Sequence, residues 1–197
     1  YYDHKLAEQH NFRERLRKIA QRAKRASNIS VRPMDGKRKA EEFAIMREIY
    51  NAAWDKNWGF VPMTDGELDA LIDSLGFLAD PRLMFIAEIE GDPAGMIVSV
   101  PDFNEALRKV RPRPGVPEPL SLLQLGWHWK IARNIRGLRC PWLGVKTQYQ
   151  DRGIEIALMH HMYEAIIPTQ YQHIDCGWVL ETNELVSISI KLGADPY

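Results

Sequence analysis

Cysteine is scarce in this 197-residue chain: Cys140 and Cys176 are the whole complement. Two thiols without metal-ligand spacing make neither a disulfide framework nor a zinc site, so reduced cysteines in a cytoplasmic protein are expected. Long apolar runs are missing as well. A bilayer span needs about 20 apolar residues, and a stretch such as 96–100 is far shorter, so no membrane span is expected. Net charge is absent, with 26 Lys/Arg balanced by 26 Asp/Glu. No initiator Met and no signal-peptide core open the chain, which begins Tyr-Tyr-Asp-His-Lys, so a fragment of a longer protein is expected. Internal repeats and low-complexity tracts are also lacking. What remains is 45% apolar and 26% charged residues, the balance of a globular domain whose core needs no covalent staple.

The zero net charge conceals an asymmetry. Residues 1–39 carry 12 Lys/Arg against 4 Asp/Glu, residues 40–107 carry 3 against 14, and residues 108–197 carry 11 against 8. The basic excess gathers at 13–25, where Leu16, Ile19, Ala20 and Ala23 keep helical spacing. Such a helix can bind nucleic acid or anionic lipid. No nucleic-acid motif follows it, however, so the expectation is a lead-in helix docked on the acidic part of its own chain, with no nucleic-acid partner.

Hydrophobic periodicity and turn signals give the rest. A strand is expected at 29–34 and a helix over 39–57, carried by Phe43, Met46, Tyr50, Ala53 and Trp54. An aromatic loop follows at 58–62. Thr64-Asp-Gly-Glu67 is a capping box that starts a second helix, which ends before Pro81. Two strands at 83–89 and 94–100 form a hairpin, and residues 103–135 are an insert of mixed character. A strand at 138–146, a helix at 153–167, a strand at 174–180 and a helix at 183–192 complete an order β-α-α-β-β-(insert)-β-α-β-α. The alternation at the end implies that the strands at 138 and 174 lie parallel.

The chemistry concentrates where the 138–146 strand runs through Gln150-Asp-Arg-Gly153 into a helix. A helix start presents unpaired N–H groups and a partial positive charge, which suit a phosphate. Gly153 lets backbone approach a ligand, and Arg152 adds a charged donor.

This loop and the order of elements resemble the GNAT superfamily of N-acetyltransferases, whose pyrophosphate loop reads Q/R-x-x-G-x-G/A. Gln150 and Gly153 match that pattern; Glu155 does not. A second point of resemblance is Trp178-Val-Leu-Glu-Thr-Asn183, a strand end that opens a helix. Runs such as Ile49-Tyr-Asn-Ala-Ala-Trp54, Asn57-Trp-Gly-Phe-Val-Pro62 and Gly193-Ala-Asp-Pro-Tyr197 are similar to uncharacterised bacterial GNAT-like proteins about twice this length.

The resemblance implies an α/β fold with a mixed α+β central sheet, splayed between its two parallel strands. Residues 29–197 would be the acyltransferase domain, its closing strands truncated, and residues 1–28 a basic helical lead-in or linker from an upstream domain. Acetyl-CoA would enter as co-substrate, its pantetheine arm along Leu143, Gly144 and Val145. Gln150, Asp151, Arg152, Gly153 and Ile154 would cradle the pyrophosphate, and Asn183 would contact the pantetheine. Transfer of acetyl to a small-molecule or peptidic primary amine, by direct attack, is the implied reaction. A degenerate acyl-CoA-binding or protein-interaction module is the alternative, because Glu155 sets a carboxylate beside the phosphates and Ile190 stands where a thiolate-protonating Tyr is common.

No catalytic residue is carried over. Glu181 and Asp102, at strand ends, are candidate bases. Tyr149 and Tyr163 are the nearest tyrosines in sequence and read as packing or surface. His160-His161 point about 100° apart on a helix and make a poor metal pair, so no metal is expected. Glu88 and Glu90 read as solvated. Trp54, Trp58, Phe60, Phe103, Trp127 and Trp129 are candidates to line an acceptor pocket, and the acidic 40–107 region would favour a cationic amine with an apolar portion.

Overall fold

The structure is a computed structural model, which describes residues 2–3, 12–57, 59–67, 69–70, 80–109, 120, 123–124, 126–131 and 134–176. Six strands make one sheet: β1 (Tyr2–Asp3), β2 (Ile29–Pro33), β3 (Met84–Ile89), β4 (Asp92–Pro101), β5 (Gly137–Val145) and β6 (His173–Asp175), in the order β1-β6-β5-β4-β3-β2. All neighbours are antiparallel except β5 and β6, which run parallel as expected. Four helices are described: α1 (Phe12–Ser27), α2 (Lys39–Ala53), α3 (Phe103–Leu107) and α4 (Ile154–Ile166).

Period-two alternation sorts the core. Met84 and Ile86 of β3, with Met96 and Val98 of β4, meet Phe43, Met46 and Ile49 of α2 on one face of the sheet. The intervening Phe85, Ala87 and Ile97 meet Ile154, Ala157, Leu158 and Met162 of α4 on the other. The β3–β4 hairpin turns through Glu90 and Gly91, both at positive φ (54° and 87°), the pair of left-handed residues that a two-residue hairpin loop requires.

The basic helix docks elsewhere than the charge count suggests. α1 lies on α4, not on the acidic 40–107 segment: buried Leu16 packs on Tyr163, and Arg13 makes a two-pronged ion pair with Glu164 at 2.9 and 2.7 Å. α4 is therefore covered on two sides, which explains why Met162, Tyr163 and Ile166 are buried as well as Ile154, Ala157 and Leu158. Glu88 is likewise not a solvated carboxylate. Arg32 bridges it, at 2.7 Å, to Glu42, which it grips at 2.9 and 2.8 Å and which is only 1% exposed.

The second helix expected before Pro81 falls mostly on 71–79, and the 183–192 helix entirely on undescribed residues. Its capping box is present: Glu67 accepts from the N–H and hydroxyl of Thr64, both at 2.9 Å, and the Thr64 hydroxyl accepts from Glu67 N–H at 3.3 Å. Among the described residues no helix is long and apolar enough to cross a membrane.

Candidate active site at the edge of β5

β5 runs over Gly137–Val145, close to the strand expected at 138–146, but it is not regular. Its register against β4 slips between Val98 and Val100: Val98 faces Trp142, whereas Val100 faces Arg139. Cys140 and Pro141 together oppose Ser99, which is a β-bulge on β5. Pro141 supplies the local cause, because it has no N–H to give the ladder. On the other side of β5, pairing with β6 covers Gly137–Arg139 against His173–Asp175 among the described residues. The bulge thus sits where that parallel pairing stops.

Beyond the bulge, hydrogen-bond alternation decides which amides face the opening. Lys146 N–H donates to Ala94 O at 2.9 Å, so Lys146 and Gly144 turn their backbone groups toward β4, and Leu143 and Val145 turn theirs away from it. The Gln150 side-chain amide lies 3.5 Å from Val145 O on that outer edge. Leu143, Val145 and Gln150 are thereby brought to one place.

The chain then makes a short turn at Thr147–Tyr149 and enters α4 through Gln150–Gly153. Asp151 (φ 62°) and Gly153 (φ 78°) both take left-handed backbone. The first intrahelical bond runs from Ala157 N–H to Gly153 O at 3.1 Å, which leaves the N–H groups of Ile154, Glu155 and Ile156 without helical acceptors. Asp151 and Arg152 are exposed beside them, with the Arg152 guanidinium 5.4 Å from the centre of the Tyr149 ring. This donor set fits a diphosphate.

The loop also answers to α1. Gly153 is required by its own left-handed backbone and by that helix: a Cβ there would lie 2.7 Å from Ala23 Cβ. Ser27 also reaches this loop, its hydroxyl donating to Arg152 O at 3.4 Å. Glu155, the departure from the pattern, stands in the first turn of α4. Burial, with Asp151 nearby, holds its pKa above the usual carboxylate value.

An aromatic group covers the other face of β5. The Tyr50 ring packs tilted against Trp54 and Phe60, at 5.1 and 5.6 Å between ring centres, and edge-on to Trp142 at 5.8 Å. Trp54 lies directly over Gly144, where a Cβ would come within 2.5 Å of Trp54 Cζ3 and closer still to Cη2. Asn51 fixes the loop that brings Phe60, donating to Met63 O at 3.1 Å and accepting from Met63 N–H at 2.8 Å. Trp54 and Phe60 were expected here; Tyr50 was read as a core position and Trp142 was missed. Trp142 follows the bulge, and Pro141 inside a strand pattern was the signal for it.

Other candidates fall elsewhere. Asp102 caps α3, accepting from Asn104 N–H at 3.1 Å, and its own N–H bonds Gly137 O. Eight residue steps of strand, about 26 Å, separate that end of β5 from Val145. Asp102 instead lines an open cleft of about 530 Å³ with Asn104, Leu107, Arg108, Arg139 and Asp175. Phe103 opens α3, and Trp127 begins a π-helical turn (Trp127–Ile131) packed near α3, so neither joins the aromatic group.

Tyr149 donates to Asp92, and Tyr163 is buried against Leu16. Lys24 Nζ lies 3.2 Å from His161 Nε2, and burial pushes the His161 pKa down to about 4. Cys140 is a buried thiol pushed up to about 12 by desolvation. Asn183, Glu181 and the Trp178–Asn183 run lie outside the described residues, as do the side chains of Trp58 and Trp129. Among the described residues no group of three or more His, Cys, Asp or Glu is placed to hold a metal.

No family model matches the chain. Protein YghO of Escherichia coli is 31% identical over 191 residues, 94% of this chain and 47% of that protein. The bacterial ceramide synthase of Caulobacter vibrioides is 32% identical over 176 residues, 87% of this chain and 45% of that protein. The chain therefore spans about half the length of these curated relatives. Among solved structures, the aminoglycoside N-acetyltransferase AAC(6')-Iy, in complex with a CoA bisubstrate analogue, superposes with a TM-score of 0.53 at 12% identity, covering 85% of this chain and 91% of that one. The ribosomal-protein-alanine N-acetyltransferase of Brucella melitensis gives 0.51 at 11% identity, covering 86% and 93%. With an open mixed sheet, a bulged strand beside a parallel neighbour and a left-handed loop entering the next helix, the chain has the fold of the GNAT superfamily of N-acetyltransferases.

Proposed function

We propose that this domain is an acyl-CoA-dependent N-acyltransferase. The observation that carries the reading is one juxtaposition: the outward backbone edge of Leu143–Val145 lies beside Gln150 and leads directly into the open first turn of α4. On this reading Gln150–Ile154 hold the pyrophosphate and the β5 edge pairs with the pantetheine arm, with Asn183 on its other side. A bound acyl-CoA supplies an activated thioester. The N–H groups of Leu143 and Val145 are the candidates to bind the carbonyl oxygen as it gains charge.

The amine nitrogen forms a bond to the thioester carbon as the carbon–sulfur bond breaks. The proton leaves the nitrogen, and the thiolate takes one up. No side chain among the described residues is assigned as the base.

The aromatic group on the α2 face points to an acceptor with an apolar portion, because Tyr50, Trp54, Phe60 and Trp142 offer ring surface beside the same strand. The 32%-identical bacterial ceramide synthase supports the same class, since a ceramide is an N-acylated long-chain amine. We therefore extend the donor from acetyl-CoA to longer acyl-CoAs and name a primary amine with a long apolar chain as the acceptor. Residues 29–197 would form the transferase domain, residues 1–28 the lead-in from an upstream domain, and the cytoplasm would supply the donor.

A binding module without turnover is the second reading, favoured by Glu155 and Asp151 at the cradle. Incubation with acetyl-CoA or palmitoyl-CoA and a panel of alkylamines, followed by thiol release and by mass spectrometry of the amide, separates the two. Amide formation that rises with amine chain length supports the transferase. CoA-thioester binding with no thiol release across the panel supports the module.

A further inference from the structure

The insert between β4 and β5 presents a surface that the transferase reading does not use. Leu107, Leu120, Leu123, Trp127 and Ile131 are exposed there, at 50%, 48%, 69%, 55% and 64%. Scattered exposed hydrophobics are ordinary, but these are ordered. Leu120, Leu123, Trp127 and Ile131 are spaced by three, four and four residues. The chain is helical at 120, 123–124 and 126 and continues as the π-helical turn, so the four fall on one side of it. Leu107 ends α3, the helix beside that turn. A helix face turned to water normally carries polar residues.

The charge around this row has one sign. Arg108, Lys109 and Arg136 are exposed, and residues 103–136 carry 7 Lys/Arg against 2 Asp/Glu. One of those two acids is spent inside the fold: Glu105 accepts from Arg136 N–H at 2.7 Å and pairs with His173 at 3.3 Å. The result is an apolar stripe containing a tryptophan, flanked by bases. Aliphatic side chains of such a stripe enter the acyl boundary of a bilayer, an indole settles at headgroup level, and Lys/Arg attract anionic headgroups.

We propose that this face docks on an anionic lipid bilayer. α1, the more basic helix by sequence, is otherwise employed. Its apolar Leu16 and Ala20 are buried, and Arg13 and Lys24 engage α4. The proposal stands apart from catalysis, and its test needs no turnover.

The test is co-sedimentation of the full chain with vesicles of phosphatidylcholine alone or with about one-third phosphatidylglycerol. Binding to the anionic vesicles that weakens with salt is expected, with little binding to the neutral ones. Trp127→Glu with Ile131→Glu should lower the partition coefficient at least tenfold while the circular dichroism spectrum is kept. The milder pair Leu123→Ser with Trp127→Ser should lower it in the same direction. Arg15→Glu with Arg22→Glu, on the exposed side of α1, should leave most of the binding. Absence of binding to anionic vesicles overturns the proposal, as do insert variants that bind like the parent. A parent that self-associates through this face and ignores vesicles overturns it too, and makes the face a contact between copies.

Discussion

Gly144→Ala should move Trp54 before it moves anything else. The new Cβ would sit 2.5 Å from Trp54 Cζ3 and 3.2 Å from Ala53 Cβ, whereas carbon atoms rest about 3.5–4 Å apart. The ring must retreat by about 1 Å or more, which breaks its packing on Tyr50. Overpacking of this kind costs about 1–3 kcal/mol. Replacing a strand glycine returns about 0.5–1 kcal/mol of chain entropy, so a net loss of about 1–2 kcal/mol is expected.

In a Trp54→Ala background only the Ala53 contact remains, and the same substitution should be close to neutral. Urea denaturation of the four proteins of this double-mutant cycle should therefore yield a coupling of about 1–2 kcal/mol. In a domain of this size that corresponds to thermal midpoint shifts of about 2–8 °C. Additivity within about 0.5 kcal/mol would refute the contact between Trp54 and the β5 backbone, and with it the aromatic wall beside the site.

Arg32→Met should cost about 3–5 kcal/mol, because Glu42, 1% exposed, then loses a two-pronged partner inside the fold; equilibrium denaturation reads it directly. His161, whose folded pKa is depressed to about 4 against an ordinary 6.5, binds protons more tightly in the unfolded chain. Stability should therefore fall as pH drops from about 6.5 toward 4, and His161→Phe should flatten that slope in a pH series of melts. Cys140, with its thiol pushed up to about 12, should resist iodoacetamide at pH 8 in the folded protein and react after unfolding, as peptide mass mapping would show.

The parts of this fold legible in the sequence were those governed by local pattern. The 39–57 periodicity placed Phe43 and Met46 on the buried side of α2 and passed over Ile49; Tyr50, Ala53 and Trp54 are half-buried, and the helix ends a few residues early, at Ala53. Thr64 and Glu67 announced their capping box. The apolar runs at 83–89 and 94–100, with the turn signal between them, gave the two strands of the hairpin. Long-range partners were not legible. Nothing local says that a basic helix will lie on α4, since its bases find Glu164 and Glu14 rather than the larger acidic reserve at 40–107. Glu88 reads as a surface carboxylate until Arg32, 56 residues away, is brought beside it.

In the candidate site, Gln150 and Gly153 followed from the strand–loop–helix pattern, although Gly153 answers to α1 and a left-handed backbone. The bulge at Cys140–Pro141, which decides which amides face outward, needed the register of two strands to be seen.

The central claim is that the β5 edge and the start of α4 form an acyl-CoA site. Isothermal titration of the protein with acetyl-CoA and with palmitoyl-CoA tests it most directly, alongside Arg152→Glu, which sets a carboxylate at the cradle without touching the core. The account predicts saturable heat and a raised melting temperature for the parent, and affinity lowered at least tenfold by Arg152→Glu. Neither heat nor a thermal shift with millimolar thioester, or equal affinity in parent and variant, would contradict it.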